Sequence, residues 1–304
     1  MGTILKVESL EKRYGEIIAV NSISFEVHRG EIFGFLGPNG AGKTTSIKMM
    51  SGLLKPDRGN VIINGEYSNS LIGVCPQNVV IWENLTCIEQ IVYMGQMYNM
   101  TAWESKKRAK ELLESLGLID NKNMLAKTLS GGMQRRLNLA LSLIHSPAIV
   151  FLDEPQVGLD PQSRVLVRDY IRSIKKNTTV ILTTHDMEEA EKLSDRICII
   201  DKGQILAIGT AEEIKKISGQ EDVIEIEIMG IIQRELIPYL NIETGDYNLI
   251  SGNSAYIKIN NPYSTLENIL GVVRARNIKV NDLRLRKKSL EDVFINITGR
   301  SLKQ

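Results

Sequence analysis

Gly37-Pro38-Asn39-Gly40-Ala41-Gly42-Lys43-Thr44-Thr45 follows an apolar, strand-like run, Glu31-Ile32-Phe33-Gly34-Phe35-Leu36, and precedes helix-compatible residues from Ser46 to Met50. The stretch fits G-x-x-x-x-G-K-[ST] in the strand-then-helix setting that this pattern requires. Its residue types answer a chemical need. Gly37, Gly40 and Gly42 let the backbone turn so that successive N–H groups face phosphate oxygens, and a helix N-terminus adds its partial positive charge. Lys43 is placed to reach β- and γ-phosphates, and the Thr44 hydroxyl to reach Mg²⁺. The loop alone predicts a nucleoside triphosphate and nothing narrower.

A second chemical element is Ile149-Val150-Phe151-Leu152-Asp153-Glu154-Pro155. Apolar residues ending in two carboxylates predict a buried parallel strand whose C-terminal end opens into a site. There Asp153 would hold the Mg²⁺ shell, and Glu154 would orient or deprotonate an attacking water. An acid pair after a strand is commonly a helix start, but the loop at 37–45 makes the catalytic alternative the stronger one.

The remaining numbers bound the problem. At 304 residues two domains are expected, and a net charge of +1 with 24% charged residues argues against a nucleic-acid partner. No run of about 18 apolar residues predicts a bilayer span. The first residues, Met1-Gly2-Thr3-Ile4-Leu5-Lys6, carry no signal-peptide pattern, and Lys6 breaks the myristoylation pattern. The dispersed Cys75, Cys87 and Cys198 suggest reduced thiols, each a small buried apolar side chain.

Leu129-Ser130-Gly131-Gly132-Met133-Gln134-Arg135-Arg136 lies between these elements, ahead of helically spaced Leu137, Ala140, Leu141 and Ile144. Ser130 predicts a helix cap, and Ser130-Gly131-Gly132 would present amides at a helix N-terminus, a second anion site. In this order and company the octapeptide strongly resembles the signature of ATP-binding cassette (ABC) ATPases. Gln77, in Gly73-Val74-Cys75-Pro76-Gln77, resembles the Q-loop glutamine of that family, and Gly158-Leu159-Asp160 resembles its D-loop. His185, in Leu182-Thr183-Thr184-His185, resembles the switch histidine, and Tyr14, in Lys12-Arg13-Tyr14-Gly15, the aromatic that stacks on adenine. Gln156 departs from the small residue the family commonly has there, which puts D-loop packing across a dimer in question.

The resemblance covers roughly residues 3–217 and carries definite expectations. It implies an α/β fold: a RecA-like P-loop NTPase core with an antiparallel β subdomain and a helical subdomain at about 83–147, residues 1–217 forming the nucleotide-binding domain. It implies ATP as substrate, gripped by the residues of the loop at 37–45, with Asp153, Thr44 and Gln77 holding Mg²⁺ and Glu154 activating water. His185 would sense the γ-phosphate. Ser130, Gly131, Gly132 and Gln134, with Asp160 nearby, would close over nucleotide held by a second subunit. One loop and one signature per chain therefore imply a dimer. A homodimer is the simpler expectation because no motif is degenerate, and a heterodimer with a related subunit is the alternative.

Between Gln77 and Ser130, Trp82, Leu85, Ile88, Ile91, Val92, Met94, Met97 and Tyr98 recur at helical spacing, followed by a charged helix from Ala102 to Leu116. Most of these predict core. Trp82 and the methionines of 94–100 are candidates for a groove that in the family receives a helix of the membrane-spanning permease.

After residue 218 the pattern changes to strands at Asp222–Met229, Tyr247–Ile250, Ala255–Ile259 and Val280–Arg286 and helices at Ile231–Leu240 and Ser264–Arg276. This βαββαβ order predicts a small ferredoxin-like domain over 218–304, read as a dimerisation or regulatory module with a structural brace as the alternative. Ser289-Leu290-Glu291-Asp292 resembles a capping box with Asp as the acid, and the text to Gly299 is similar to the drug- and sodium-export branch. The expected function is the ATPase subunit of an ABC exporter, on the cytoplasmic face of the membrane through a separate permease. An ABC ATPase acting on ribosomes or DNA repair complexes is the alternative. Nothing in the sequence names the cargo.

Overall fold

The computed structural model describes residues 2–63, 71–217, 222–228, 247–251, 254–259, 262–275, 280–286 and 289–298. Contacts divide the chain into two compact units, Met1–Ala211 and Glu212–Leu302.

The first unit runs β1 (Thr3–Tyr14), β2 (Ile17–His28), β3 (Ile32–Leu36), α1 (Lys43–Met50), β4 (Arg58–Ile63), β5 (Ile72–Cys75), α2 (Cys87–Met97) and α3 (Ala102–Ser115). It continues with α4 (Gly131–Leu143), β6 (Ile149–Asp153), α5 (Pro161–Ile174), β7 (Thr179–Thr184), α6 (Met187–Leu193), β8 (Arg196–Asp201) and β9 (Gln204–Gly209). Two sheets result. One is three-stranded and antiparallel, in the order β2-β1-β4. The other is six-stranded, in the order β5-β6-β7-β3-β8-β9, parallel except for β9.

The central strands read as unbroken apolar runs because both faces of the larger sheet are covered. Alternate residues of β6 go to opposite sides: Val150 and Leu152 join the core beneath α2, α3 and α4, while Ile149 and Phe151 join the core shared with β1 and β2. On the second side Phe25 of β2 stacks on Phe33 of β3, with ring centroids 5.4 Å apart, and meets Phe35 edge-on at 5.2 Å. Burying such rings contributes roughly 1.5–3 kcal/mol each. This places β3, and the loop that leaves it, on a rigid base.

The helical segment starts later than its apolar spacing suggests. Trp82 and Leu85 precede α2, because Thr86 caps it through a reciprocal box with Glu89. Thr101 and Glu104 cap α3 in the same way. All three cysteines are buried free thiols. Burial raises the Cys75 thiol to about 11 and the Cys198 thiol higher still, which keeps both protonated and inert.

The second unit contains α7 (Ala211–Ile217) from Glu212 on, β10 (Asp222–Ile228), β11 (Tyr247–Ser251), β12 (Ser254–Ile259), α8 (Pro262–Ala275), β13 (Val280–Arg286) and α9 (Leu290–Thr298). Its antiparallel sheet has the order β11-β12-β10-β13, and its described strands and α8 follow one another in the chain order expected of them. The helix expected at 231–240 lies outside the described residues. Asp292 does serve as the acid of a capping box. It accepts from the Ser289 N–H at 2.8 Å, and its own N–H donates to Ser289 Oγ at 3.3 Å.

Candidate active site

The loop at 37–45 leaves the C-terminal end of β3 and feeds α1. Two of its glycines are dictated by space. Gly42, the residue before α1, has φ +102°, and a Cβ there would stand 2.3 Å from the Ala19 carbonyl oxygen of β2. A Cβ on Gly37 would stand 2.2 Å from the Ile200 carbonyl oxygen of β8. The loop is pulled against the sheet on both sides. Ser46 makes the first helical bond, to Gly42, so the amides of Lys43, Thr44 and Thr45 have no carbonyl behind them in α1. Pro38, Asn39, Gly40 and Ala41 form the crest, with Asn39 and Gly40 exposed and Ala41 buried.

Lys43 is buried, and its Nζ donates to the carbonyls of Gly37 at 2.8 Å and Pro38 at 3.1 Å. It also stands 3.7 Å from Glu154 Oε1. Burial pulls the ammonium below its ordinary value, against the opposing effects of Glu154 and Asp153. The amine is thus held by two carbonyls of its own loop, with the Glu154 carboxylate facing it.

Those acids are buried and fixed individually. Asp153 Oδ1 accepts from Thr44 Oγ1 at 3.2 Å and from Thr183 Oγ1 at 2.5 Å. Thr183 in turn accepts from the Glu154 N–H at 2.9 Å. Glu154 has φ +49°, a left-handed conformation that costs a non-glycine residue about 1–3 kcal/mol and is kept only where surrounding contacts impose it. Its carboxylate is a meeting point. Gln77 Nε2 donates to Oε2 at 3.3 Å, and His185 Nδ1 lies 3.1 Å from Oε1, the oxygen that also faces Lys43. Lys43, Thr44, Gln77, Asp153, Glu154 and His185, distant in sequence, are thus brought into one cluster.

Tyr14 ends β1 half exposed, with the Lys12 ammonium 5.9 Å from its ring centroid. Ser130 caps α4 by accepting from the Met133 N–H, and both Ser130 and Gly131 are exposed. A Cβ on Gly132 would sit 3.9 Å from Asp160 Oδ2, so the start of α4 adjoins the segment 158–160, and Asp160 itself caps α5. Gln134 differs from the other three signature residues. Its Nε2 donates to the Ala126 carbonyl at 3.0 Å, so that amide is engaged within its own chain. Gln156 Oε1 is buried without a hydrogen-bond partner among the described residues.

Two residues of the site carry no role in the sequence analysis. Thr183 links both acids, and its only trace is a hydroxyl at the end of an apolar strand. Arg135 is buried within α4 and donates to the carbonyls of Pro76, Gln77, Asp153 and Glu154. Beside Gln134 and Arg136 it looks like part of a solvated run. The available signal is its spacing with Asn138 and Ser142, a polar line on a helix that is otherwise apolar from Leu137 to Leu143.

The family model described as "ABC transporter" matches residues 20–157. The linearmycin resistance ATP-binding protein LnrL of Bacillus subtilis is 36% identical, covering 99% of this chain and 100% of its own length. A daunorubicin resistance ATP-binding protein, DrrA3 of Streptomyces coeruleorubidus, is 37% identical over 98% of this chain and 96% of its own. The Nod factor export ATP-binding protein I of Burkholderia lata is 36% identical over 97% and 96%. Among solved structures, an ATP-binding subunit of an ABC transporter superposes with a TM-score of 0.65 at 28% identity, covering 71% of this chain and 93% of its own. Another, cbiO1 from Clostridium perfringens, gives 0.63 at 26% identity, covering 70% and 91%. At 36% and 37% identity over nearly its whole length to such proteins, the chain belongs to the family of ABC transporter ATP-binding proteins.

Proposed function

We propose that this chain is the ATP-hydrolysing subunit of an ABC exporter, driving a separate membrane permease. The observation that carries the catalytic part is the buried Glu154 carboxylate, met by Lys43, Gln77 and His185 at 3.1–3.7 Å. Lys43 and the amides at the start of α1 grip the phosphates of ATP. Glu154 orients an attacking water and takes its proton as the O–Pγ bond forms and the bond to the β–γ bridging oxygen breaks, leaving ADP and phosphate. His185 reports the γ-phosphate, and Tyr14 offers its exposed ring to the adenine.

The donor set suits Mg²⁺, a hard cation that takes oxygen ligands and keeps substrate phosphates in its shell. Thr44 and Asp153, whose oxygens lie 3.2 Å apart, would hold it, with Gln77 as a third ligand. When bound, it neutralises charge on the phosphate oxygens.

A second subunit, most simply a copy of this chain, supplies Ser130, Gly131, Gly132 and the D-loop Asp160 to complete each site. The exposed start of α4 beside Asp160 supports this. Export is supported by the names of the relatives, two resistance proteins and one export protein. Among the described residues no helix is long and apolar enough to cross a membrane. A separate permease, with this chain peripheral on it, is supported by the relatives being named as ATP-binding proteins. Trp82 and Tyr93, in edge-on contact at 5.7 Å and both exposed, mark the helical face where that permease would dock. The same relatives favour transport over work on ribosomes or DNA. Residues 218–304 form an accessory domain.

The test is Glu154→Gln in the full chain. It is expected to keep ATP binding, lose nearly all hydrolysis and trap an ATP-bound dimer, measured by nucleotide binding, phosphate release and sedimentation. Wild-type turnover would overturn the assignment of Glu154.

A further inference from the structure

We infer that Arg135 is a positioning residue that imposes the strained backbone of Glu154 from the signature helix, so that the pose of the water-activating carboxylate depends on where α4 sits. This rests on the role proposed for Glu154 and adds to it a mechanical input. Glu154 occupies the left-handed region at φ +49°, which a side chain other than glycine's disfavours, so something outside the residue must hold it there. Two contacts do. Thr183 Oγ1 takes the Glu154 N–H at 2.9 Å, and Arg135 Nη2 donates to the Glu154 carbonyl at 2.5 Å and to that of Asp153 at 2.8 Å.

The other end of the same fork does a second job. Arg135 Nη1 donates to the carbonyls of Pro76 and Gln77, the segment that delivers the Gln77 amide to Glu154 Oε2. Three residues further along α4, Asn138 accepts from the Val80 N–H at 3.2 Å and donates to Cys75 Sγ at 3.3 Å, so this face of the helix fixes the segment 75–80. A planar guanidinium is the one side chain whose donors can serve two carbonyl pairs at once. Arg135 lies one turn and a half after Ser130, the residue proposed to meet the nucleotide of the other subunit. A shift of α4 on dimer closure therefore reaches Glu154 through a single rigid group, without passing through nucleotide.

The full-length chain carrying R135K, and separately R135M, tests this by comparing kcat, KM for ATP, equilibrium nucleotide affinity and melting temperature. Lysine keeps the charge but serves one carbonyl pair, and methionine keeps the volume but donates nothing. A carboxylate misplaced by a fraction of an ångström predicts kcat down about a hundredfold in R135M and about tenfold in R135K, with nucleotide affinity within about threefold of wild type. Wild-type kcat in R135M, parallel loss of kcat and affinity, or failure of both variants to fold would overturn the inference. If only R135M fails to fold, R135K decides: the tenfold loss at retained affinity supports it and wild-type kcat sinks it. The Glu154→Gln result judges the underlying role independently, because it does not involve Arg135.

Discussion

His185 Nδ1 and Glu154 Oε1 stand 3.1 Å apart, bringing together the ends of two neighbouring strands, β7 and β6. The imidazole is half exposed, whereas the carboxylate is buried, so the histidine connects the acid to the outer part of the site.

His185→Ala is therefore expected to lower ATP turnover by about a hundredfold while leaving ATP affinity within a few fold. Steady-state hydrolysis alongside equilibrium nucleotide binding checks it. An equal loss in both measurements would mean that the side chain merely supports the fold.

Gly42→Ala and Gly131→Ala should separate local geometry from assembly. At Gly42 a methyl group meets the Ala19 carbonyl at 2.3 Å and the backbone has φ +102°, so the variant should lose nucleotide binding and melt at lower temperature. At Gly131 the Cβ position is open, with nothing within 4 Å, so the monomer should fold and bind ATP normally. The second variant should instead lose ATP-dependent dimerisation and turnover, as read by size-exclusion chromatography. Normal dimerisation of Gly131→Ala would remove the case for a site shared between subunits.

Acid sensitivity should originate partly in the helical subdomain. The Thr86 N–H and hydroxyl hold Glu89 below the ordinary carboxylate range, and the Thr101 hydroxyl and N–H do the same for Glu104. With folded values depressed, the unfolded chain takes up protons first. The stabilisation is complete above the ordinary glutamate range and is lost as pH falls through the lowered folded values. Urea denaturation of the double variant E89Q/E104Q should start from a lower midpoint at neutral pH and fall less steeply between about pH 5 and 3. An unchanged slope would show that other carboxylates control the acid limb.

Phe35→Ala should lower the unfolding free energy by about 3–5 kcal/mol, because it opens a cavity beside Phe25 and Phe33. Chemical denaturation measures the loss. A cost below about 1 kcal/mol would mean that the three-ring cluster collapses to fill the space.

The loop at 37–45, the acids 153–154 and the cap at Ser130 were legible in residue order because each works through its own backbone: a turn, a strand end, a helix start. Their chemistry is local, and local chemistry needs particular residues at particular spacings. Apolar periodicity alone misplaced the start of α2, since Thr86 and Glu89 set the boundary by hydrogen bonds that outweigh the pattern at Trp82 and Leu85. Gln134 shows the opposite limit, for an amide in the right place in the text spends its donor on Ala126. What Arg135 and Thr183 hold became visible only when strands β5, β6 and β7 and helix α4 were packed together. Their partners are carbonyls, amide groups and carboxylates far along the chain, and every residue carries a carbonyl, so no pattern of side chains could mark which four a buried guanidinium would meet.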